Sequence, residues 1–245
     1  MPDLAVVTTA DRPDLADERS AALLAVWPEF VLHDQVNDRL MDRVTSAWPR
    51  YDVTILDAGQ VVAGGWAIPL RWDGTVPGLP DGYDGALITG VSGLEQDVAP
   101  DTLCVMAAAV RHGRQGGGLG GRILAALQAR ATGGGLTRMI APVRPVLKAR
   151  YPLTSMASYA RWTRADGTHL DPWIRTHQRL GATILGPAPR SMVVTGTVAE
   201  WENWAQMAFP ETGRYVVPGA LDPVDIDVDQ DIGRYEETSL WMRHL

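Results

Sequence analysis

The residues best suited to chemistry form a glycine-rich segment near the middle of the chain, Gln115-Gly-Gly-Gly-Leu-Gly-Gly121. It follows an apolar run over residues 103–110 and precedes a run in which Ile123 and Leu127 recur at helical spacing. A glycine-rich turn between a buried strand and a helix leaves its backbone N–H groups unobstructed, and the helix dipole adds positive potential at the same point. The segment therefore predicts a phosphate-binding turn, with a purely structural tight turn as the alternative.

Three features narrow the kind of phosphate ligand. The segment lacks the lysine and hydroxyl residue that end a P-loop, which disfavours nucleoside triphosphate hydrolysis. It comes after a predicted hairpin, whereas a dinucleotide-binding fingerprint normally opens a βαβ unit. Arg111, Arg114 and Arg122 flank it in a chain whose formal net charge is -7. These arginines indicate an anionic cofactor, while the net charge argues against a non-specific nucleic-acid binder.

Histidine and cysteine residues do not suggest a metal site. None of the 5 histidines pairs with another at the spacing of a helical zinc site, and we predict that no metal is bound. The single cysteine, Cys104, lies within the apolar run and is typical of a buried packing residue.

The elements that must position the glycine turn follow from hydrophobic periodicity. With 46% hydrophobic residues, the chain has the composition of an ordinary globular protein and is expected to form one compact domain. Its patterns predict a strand, two helices, a hairpin, a central strand, the glycine turn, a helix and a further strand, which is a mixed α/β architecture. The predicted ranges are 4–9 for the first strand, 34–47 for the second helix, 51–56 and 60–70 for the hairpin, and 103–110 and 136–143 for the central strands.

Two further expectations concern the surface and the compartment. Residues 73–85, rich in Gly, Pro and Asp, predict a surface loop that either covers a pocket mouth or is a plain excursion. No stretch of the sequence resembles a signal peptide or a membrane span, so we expect a cytoplasmic protein without a membrane partner.

Val110, followed by Gln115-x-x-Gly118-x-Gly120, resembles the acyl-CoA signature of the GNAT acetyltransferases. The resemblance covers roughly residues 1–185 and implies a GNAT-like α/β (α+β) fold, with a mostly antiparallel twisted sheet flanked by helices. Residues 186–245 would then be a C-terminal extension packed on the same domain. The cofactor implied is acetyl-CoA, or another acyl-CoA such as malonyl-CoA.

The same resemblance implies where the cofactor would lie. Its pyrophosphate would rest on the glycine turn, and its pantetheine arm would follow the preceding strand into a cleft between residues 103–110 and 136–143. The cofactor-binding residues implied are Ala108, Val110, Gln115, Gly116, Gly117, Gly118, Leu119, Gly120 and Gly121.

A catalytic candidate also comes from the resemblance. GNAT enzymes commonly carry a tyrosine on the helix after the second central strand, where it protonates the departing thiolate. Thr176-His-Gln-Arg-Leu-Gly181 puts His177 at that position. Histidine, with an unperturbed pKa of about 6.5, suits proton transfer near neutrality, so we predict that His177 transfers the proton. The alternative is a half-buried packing histidine, with Tyr151, Tyr159 or water as the donor.

A narrower resemblance reaches the C-terminus. Segments such as Pro142-Val-Arg-Pro145, Asp171-Pro-Trp173 and Trp241-Met-Arg-His244 are similar to those of the GNAT-like loading domains of polyketide synthases and their stand-alone relatives. Such domains decarboxylate malonyl-CoA to an acetyl thioester, which implies a cation for the substrate carboxylate. The candidates for that substrate-binding role are Arg144, Arg175 and Arg190. Val146 departs from the hydroxyl residue that follows the Arg-Pro pair in those domains.

The sequence thus predicts an acyl-CoA-dependent acyltransferase that moves an acetyl group from acetyl-CoA to an unidentified acceptor, either a small amine or a carrier protein. Two alternatives stay open. One is a malonyl-CoA decarboxylase that loads acetyl groups, and the other is a non-catalytic module that binds acyl-CoA.

Overall fold

A computed structural model describes residues 4–244 of the chain. Its first half comprises β1 (Leu4–Thr8), α1 (Ala16–Leu24), α2 (Gln35–Ala47), β2 (Asp52–Asp57), β3 (Gln60–Leu70), α3 (Gly82–Glu95), β4 (Thr102–Val110) and α4 (Leu119–Gly133). Its second half comprises β5 (Arg138–Val143), α5 (Met156–Tyr159), α6 (Pro172–Arg179), β6 (Thr183–Gly196), α7 (Val198–Ala205), β7 (Gly213–Tyr215), β8 (Val224–Asp227) and β9 (Ile232–Arg243). The predicted strands, hairpin and helices around the glycine turn are all present.

One sheet of 9 strands organises the described chain. Its order is β1-β2-β3-β4-β5-β9-β8-β7, with β6 also paired to β9. Only β4 and β5 run parallel, and every other described pair is antiparallel. This confirms the predicted mixed, mostly antiparallel sheet flanked by helices.

The C-terminal strand occupies an interior place in this sheet. β9 pairs with β5 through Leu240 to Arg243 and with β6 along most of its length, so both of its edges are used. The boundary predicted between residues 185 and 186 falls inside β6. Residues on both sides of that boundary therefore belong to the same sheet.

Helix boundaries follow from local capping chemistry. Asp34 begins α2, and its side chain accepts a hydrogen bond from the Val36 N–H. Asp171 begins α6, where its carboxylate accepts from the N–H groups of Trp173 and Ile174, and Pro172 takes the first helical position. The aspartate cap and the proline together fix where α6 begins.

Helix α3 is one element that the sequence did not predict. The segment 73–85 was expected to be a loop, but the helix begins at Gly82. The glycines of α3 weakened the helical signal in the sequence, because each glycine disfavours a helix interior by about 1 kcal/mol. Close packing explains two of them. A Cβ on Gly82 would lie 2.1 Å from the Ser191 Cα, and one on Gly90 would lie 2.9 Å from the Ile68 Cδ1.

Candidate functional site

A cleft opens where the two central strands separate. β4 and β5 pair only from Thr102 to Cys104 against Arg138 to Ile140. Next along β4, the register with β3 shifts and Met106 has no partner, which is a bulge of the kind that bends a strand. Beyond that point lies a cleft of about 1020 Å³, lined by β4 residues 105–110 on one side and by residues 141–144 on the other. The predicted cleft between these strands is therefore present.

The glycine turn closes one end of this cleft. Gly116 and Gly118 have φ values of +84° and +77°, a region that favours glycine. Gly118 is also the left-handed N-cap of α4. Within residues 4–244, no hydrogen bond satisfies the backbone N–H groups of residues 115–121. Such unpaired N–H groups at a helix N-terminus form an anion-binding site.

Most residues predicted to bind the cofactor line the cleft. Gly117 does not contribute to its wall. The lining residues from that set are Ala108, Val110, Gln115, Gly116, Gly118, Leu119, Gly120 and Gly121. In addition, the Gln115 side-chain amide donates to the Val110 carbonyl oxygen at 3.3 Å, which joins the turn to the end of β4.

Helix α6 packs against the turn and brings positive charge to the same end. A Cβ on Gly120 would come within 2.7 Å of the Trp173 ring, so the absence of a side chain at Gly120 permits this approach. Arg175 and Arg179, on the same helix, line the cleft. Arg175 donates from Nη1 to two backbone carbonyls at 2.7 Å, and within the described ranges neither arginine pairs with a carboxylate.

Another part of the cleft wall, away from the glycine turn in sequence, carries carboxylates from α2 and β9. Asp38 and Glu237 both line the wall there, and Glu237 is 2% exposed. Its Oε2 accepts from the Arg144 Nε at 2.7 Å and from the Tyr235 hydroxyl at 2.8 Å. Its Oε1 makes no hydrogen bond to another described residue. Since Arg144 offsets only one of the two carboxylates, this part of the wall is negative, whereas the glycine turn and α6 contribute positive charge.

A buried pair of carboxyl groups lies behind the negative wall. Asp84 on α3 accepts from the Val193 N–H at 3.0 Å, and Asp34 accepts from the Val36 N–H at 2.9 Å. Their other oxygens have no donor. Burial, together with the neighbouring charge of Asp34, raises the pKa of Asp84 to about 8, so the pair shares one proton at neutral pH. Hydrophobic periodicity gave no signal for this pair.

Known proteins resemble this chain in sequence and in architecture. No family model matches the chain. The chain is 25% identical over 277 residues to the Arginine N-acetyltransferase avaD of Aspergillus versicolor, covering 99% of this chain and 94% of that protein. Among solved structures, the loading GNATL domain of CurA from Lyngbya majuscula superposes with a TM-score of 0.59 at 16% identity, covering 100% of this chain and 97% of that one. The GphF GNAT-like decarboxylase in complex with isobutyryl-CoA gives 0.54 at 15% identity and covers 98% and 97%.

The protein has the GNAT fold. The resemblance inferred from Gln115 to Gly120 is confirmed at the level of the fold, because both neighbours align over almost the whole chain. At sequence identities of 16% and 15%, these two neighbours show the architecture of the chain and not its reaction.

In this GNAT cleft His177 is placed as predicted but differs in its chemistry. It lines the cleft and is 1% exposed. Its Nδ1 lies 2.8 Å from the Nε2 of His244, a partner that the sequence did not indicate. Burial, with a smaller effect from His244, lowers the pKa of His177 to about 3. The expectation that it titrates near neutrality was wrong, since a buried imidazole loses the hydration of its charged form.

The alternative proton donors do not face the GNAT cleft. Tyr151 and Tyr159 are absent from its lining, and the Tyr159 hydroxyl donates to Asp171 at 2.8 Å. The pKa of Tyr159 is raised by burial and by Asp171, which further disfavours proton release.

The three predicted arginines do not converge. Arg144 and Arg175 line the cleft. Arg190 does not; it is exposed in an irregular part of β6, has a φ of +50°, and lies 3.4 Å from Glu236. It was predicted to face the acyl group, but the register shift between Ala188 and Met192 turns it to solvent.

Other sequence expectations have plain outcomes. Of the segment 73–85, only Tyr83 lines the GNAT cleft, while residues 76–82 face a separate small cavity beside β6. Cys104 is fully buried, as predicted. Within residues 4–244 no cluster of three potential ligands could hold a metal ion, and no helix there is long and apolar enough to cross a membrane.

Proposed function

We propose that the protein is an acyl-CoA-dependent N-acetyltransferase that uses acetyl-CoA and a cationic acceptor. The observation that carries the proposal is the charge separation along the cleft. The glycine turn and α6 offer unpaired N–H groups with Arg175 and Arg179, while α2 and β9 offer the carboxylates of Asp38 and Glu237 to the same cleft. An anionic donor and a cationic acceptor would each find a complementary part of the wall.

The donor half of the proposal follows from backbone geometry. The CoA pyrophosphate would bind the N–H groups of residues 115–121. Beyond Cys104 the β5-facing edge of β4 is unpaired, so its backbone groups are available to the amides of a pantetheine arm. That the GphF decarboxylase, which has the same fold, binds isobutyryl-CoA supports this reading of the cleft.

The acceptor half rests on the cleft carboxylates and on the relative from Aspergillus versicolor. Glu237 keeps one oxygen free at the wall, and Asp38, which also lines the cleft, has no salt-bridge partner in the described chain. An ammonium or guanidinium group fits such carboxylates. Because the relative is named an arginine N-acetyltransferase, arginine is the first acceptor to test.

The reaction needs little acid catalysis from the protein. An unprotonated acceptor nitrogen would attack the thioester carbonyl carbon, forming the C–N bond, and the C–S bond would then break. A thiol with an ordinary pKa of about 8.5 leaves readily as thiolate, so the acceptor proton can pass to solvent through the open cleft. This is consistent with the lowered pKa of His177.

A second candidate, malonyl-CoA decarboxylation, is favoured by one observation. Arg144 lines the cleft and could face a carboxylate. Its guanidinium is already bound by Glu237 at 2.7 Å and by the Gly219 carbonyl at 2.6 Å, which leaves little charge for a substrate. The amine acetyltransferase therefore remains the better-supported function.

The deciding experiment incubates the protein with acetyl-CoA plus arginine and, separately, with malonyl-CoA alone. Free CoA is followed with a thiol reagent and products by mass spectrometry. We expect acetyl-CoA consumption that depends on arginine and yields an acetylated product. Conversion of malonyl-CoA to acetyl-CoA without any acceptor would favour the second candidate. Tight acyl-CoA binding without turnover of either mixture would leave the binding module.

The Glu237→Gln variant tests the acceptor end within the same assay. It preserves the shape of the side chain and removes its charge, so the KM for arginine should rise while the KM for acetyl-CoA stays close to that of the parent protein. A Glu211→Gln variant is the charge-matched control, because the Glu211 carboxylate is exposed, does not line the cleft and has no side-chain hydrogen bond within residues 4–244. Equal effects of the two substitutions would contradict a specific role for Glu237.

A further inference from the structure

We propose that His244 is a positioning residue that holds His177 with its Nε2–H directed into the cleft, where it donates a hydrogen bond to an oxygen of the bound acyl-CoA. The inference rests on the proposed function, since that function supplies the ligand. It assigns His177 a role that does not require the imidazole to titrate.

The contact between the two rings is direct and buried. The His177 Nδ1 and His244 Nε2 atoms are 2.8 Å apart, and the residues are 1% and 8% exposed. They come from α6 and from the end of the described chain after β9. Both outer nitrogens, the His177 Nε2 and the His244 Nδ1, are buried and have no partner among residues 4–244.

Counting protons decides which ring donates. Two neutral imidazoles carry one N–H each, and one of these must lie between the rings. If His177 donated, the N–H on the outer nitrogen of His244 would be buried with no acceptor. If His244 donates, the outer N–H belongs to His177, which lines the cleft as His244 does not, so a ligand bound there can supply the missing acceptor. Unpaired buried N–H groups are rarer in proteins than unpaired acceptors, so the second arrangement is favoured.

The position of α6 indicates what the His177 N–H would meet. Trp173 of this helix packs on Gly120, and its ring lies edge-on to the His177 ring with centroids 4.5 Å apart. His177 is therefore joined to the glycine turn through the Trp173 ring and lines the same cleft. An acyl-CoA held at the turn would pass its pantetheine arm and thioester through this space, and their carbonyl oxygens are hydrogen-bond acceptors.

Nitrogen-15 NMR of the free protein tests the tautomers directly. The signals of the two rings are identified by their loss in His177→Gln and His244→Gln. At pH 7 we expect the His177 Nε2 and the His244 Nε2 to carry the protons, with both Nδ1 atoms unprotonated. A proton on the His177 Nδ1, or a charged ring in either residue, would overturn the proposal. The tautomers are measured in the free protein, so a failure of the proposed acetyl transfer would leave this result unchanged.

A pair of variants tests the consequence for binding. His244→Gln keeps an N–H donor close to the former Nε2, whereas His244→Glu puts an acceptor there and reverses the His177 tautomer. With CoA and acetyl-CoA as probes in calorimetry, we expect His244→Gln to bind like the parent and His244→Glu to bind acetyl-CoA about fivefold to tenfold more weakly, the size of one hydrogen bond. Equal affinities for the two variants, both folded by circular dichroism, would refute the positioning role.

Discussion

Gly118 contributes to the candidate phosphate site through its backbone conformation and not through a side chain. Its φ of +77° ends the turn and begins α4, and among the described residues beyond its immediate chain neighbours no atom lies within 4 Å of where its Cβ would be. The empty space is where an anion would approach the N–H groups. Two residues past the end of the same helix, Gly135 has a φ of +76° and equally empty surroundings.

These two glycines make a matched pair of variants. Gly118→Val and Gly135→Val both force a branched side chain into left-handed backbone, so each should lower the free energy of unfolding by about 1–2 kcal/mol. Only Gly118→Val should abolish CoA binding, because only that side chain would obstruct the phosphate-binding N–H groups. Calorimetric titration with CoA and thermal unfolding measure the two effects. CoA binding that survives in a folded Gly118→Val variant would remove the turn as the cofactor site.

At the scale of secondary-structure elements, the contact between α4 and α6 fixes the shape of the cleft. A Cβ on Gly120 would lie 2.7 Å from the Trp173 ring, whereas one on Gly121 would lie 3.6 Å from the Thr176 methyl group, an ordinary contact. Gly120→Ala should therefore push α6 away and destabilise the protein by about 1–3 kcal/mol, as overpacking does. Gly121→Ala should leave the melting temperature nearly unchanged. Similar melting temperatures for both variants would contradict the packing argument.

The elements also show what sequence patterns can and cannot predict. The sequence predicted β4 because a strand buried on both faces is apolar throughout. It predicted the glycine turn because the glycines separate the apolar run of β4 from the helical pattern of α4. Helix α3 was missed because its glycines serve contacts with Ser191 and Ile68 that are distant in the chain. The His177–His244 pair was missed for the same reason, since 67 residues separate its members.

At the scale of the whole molecule, buried ionisable groups predict a pH optimum for stability. The pKa values of His177 and His244 are lowered to about 3 and about 4, mainly by burial. The unfolded chain therefore binds more protons as the pH falls below about 6.5, and stability is lost there. The pKa of Asp84 is raised to about 8, so the stability it contributes is lost as the pH rises from about 4 through 8. Together these groups favour maximal stability at mildly acidic pH.

Urea unfolding at several pH values tests this balance. Asp84→Asn keeps a polar group opposite Asp34 but removes the carboxyl group that ionises as the pH rises. The free energy of unfolding of the variant should therefore fall less than that of the parent between pH 6 and 8.5. Asp38→Asn, which changes an exposed carboxylate on the same wall, should leave the pH dependence as it is. The expectation fails if the alkaline decline is as steep in Asp84→Asn as in the parent.

The interior position of β9 has a consequence for synthesis. The strand that pairs with both β5 and β6 is made after the other described strands, so the emerging polypeptide cannot complete this sheet until β9 has been translated. Its partners on β5 are about a hundred residues earlier, and such long-range pairing slows folding. Until β9 arrives, the exposed edge of β5 is open to pairing with other chains. Nascent chains stalled before residue 232 should therefore be strong clients of chaperones and prone to aggregate.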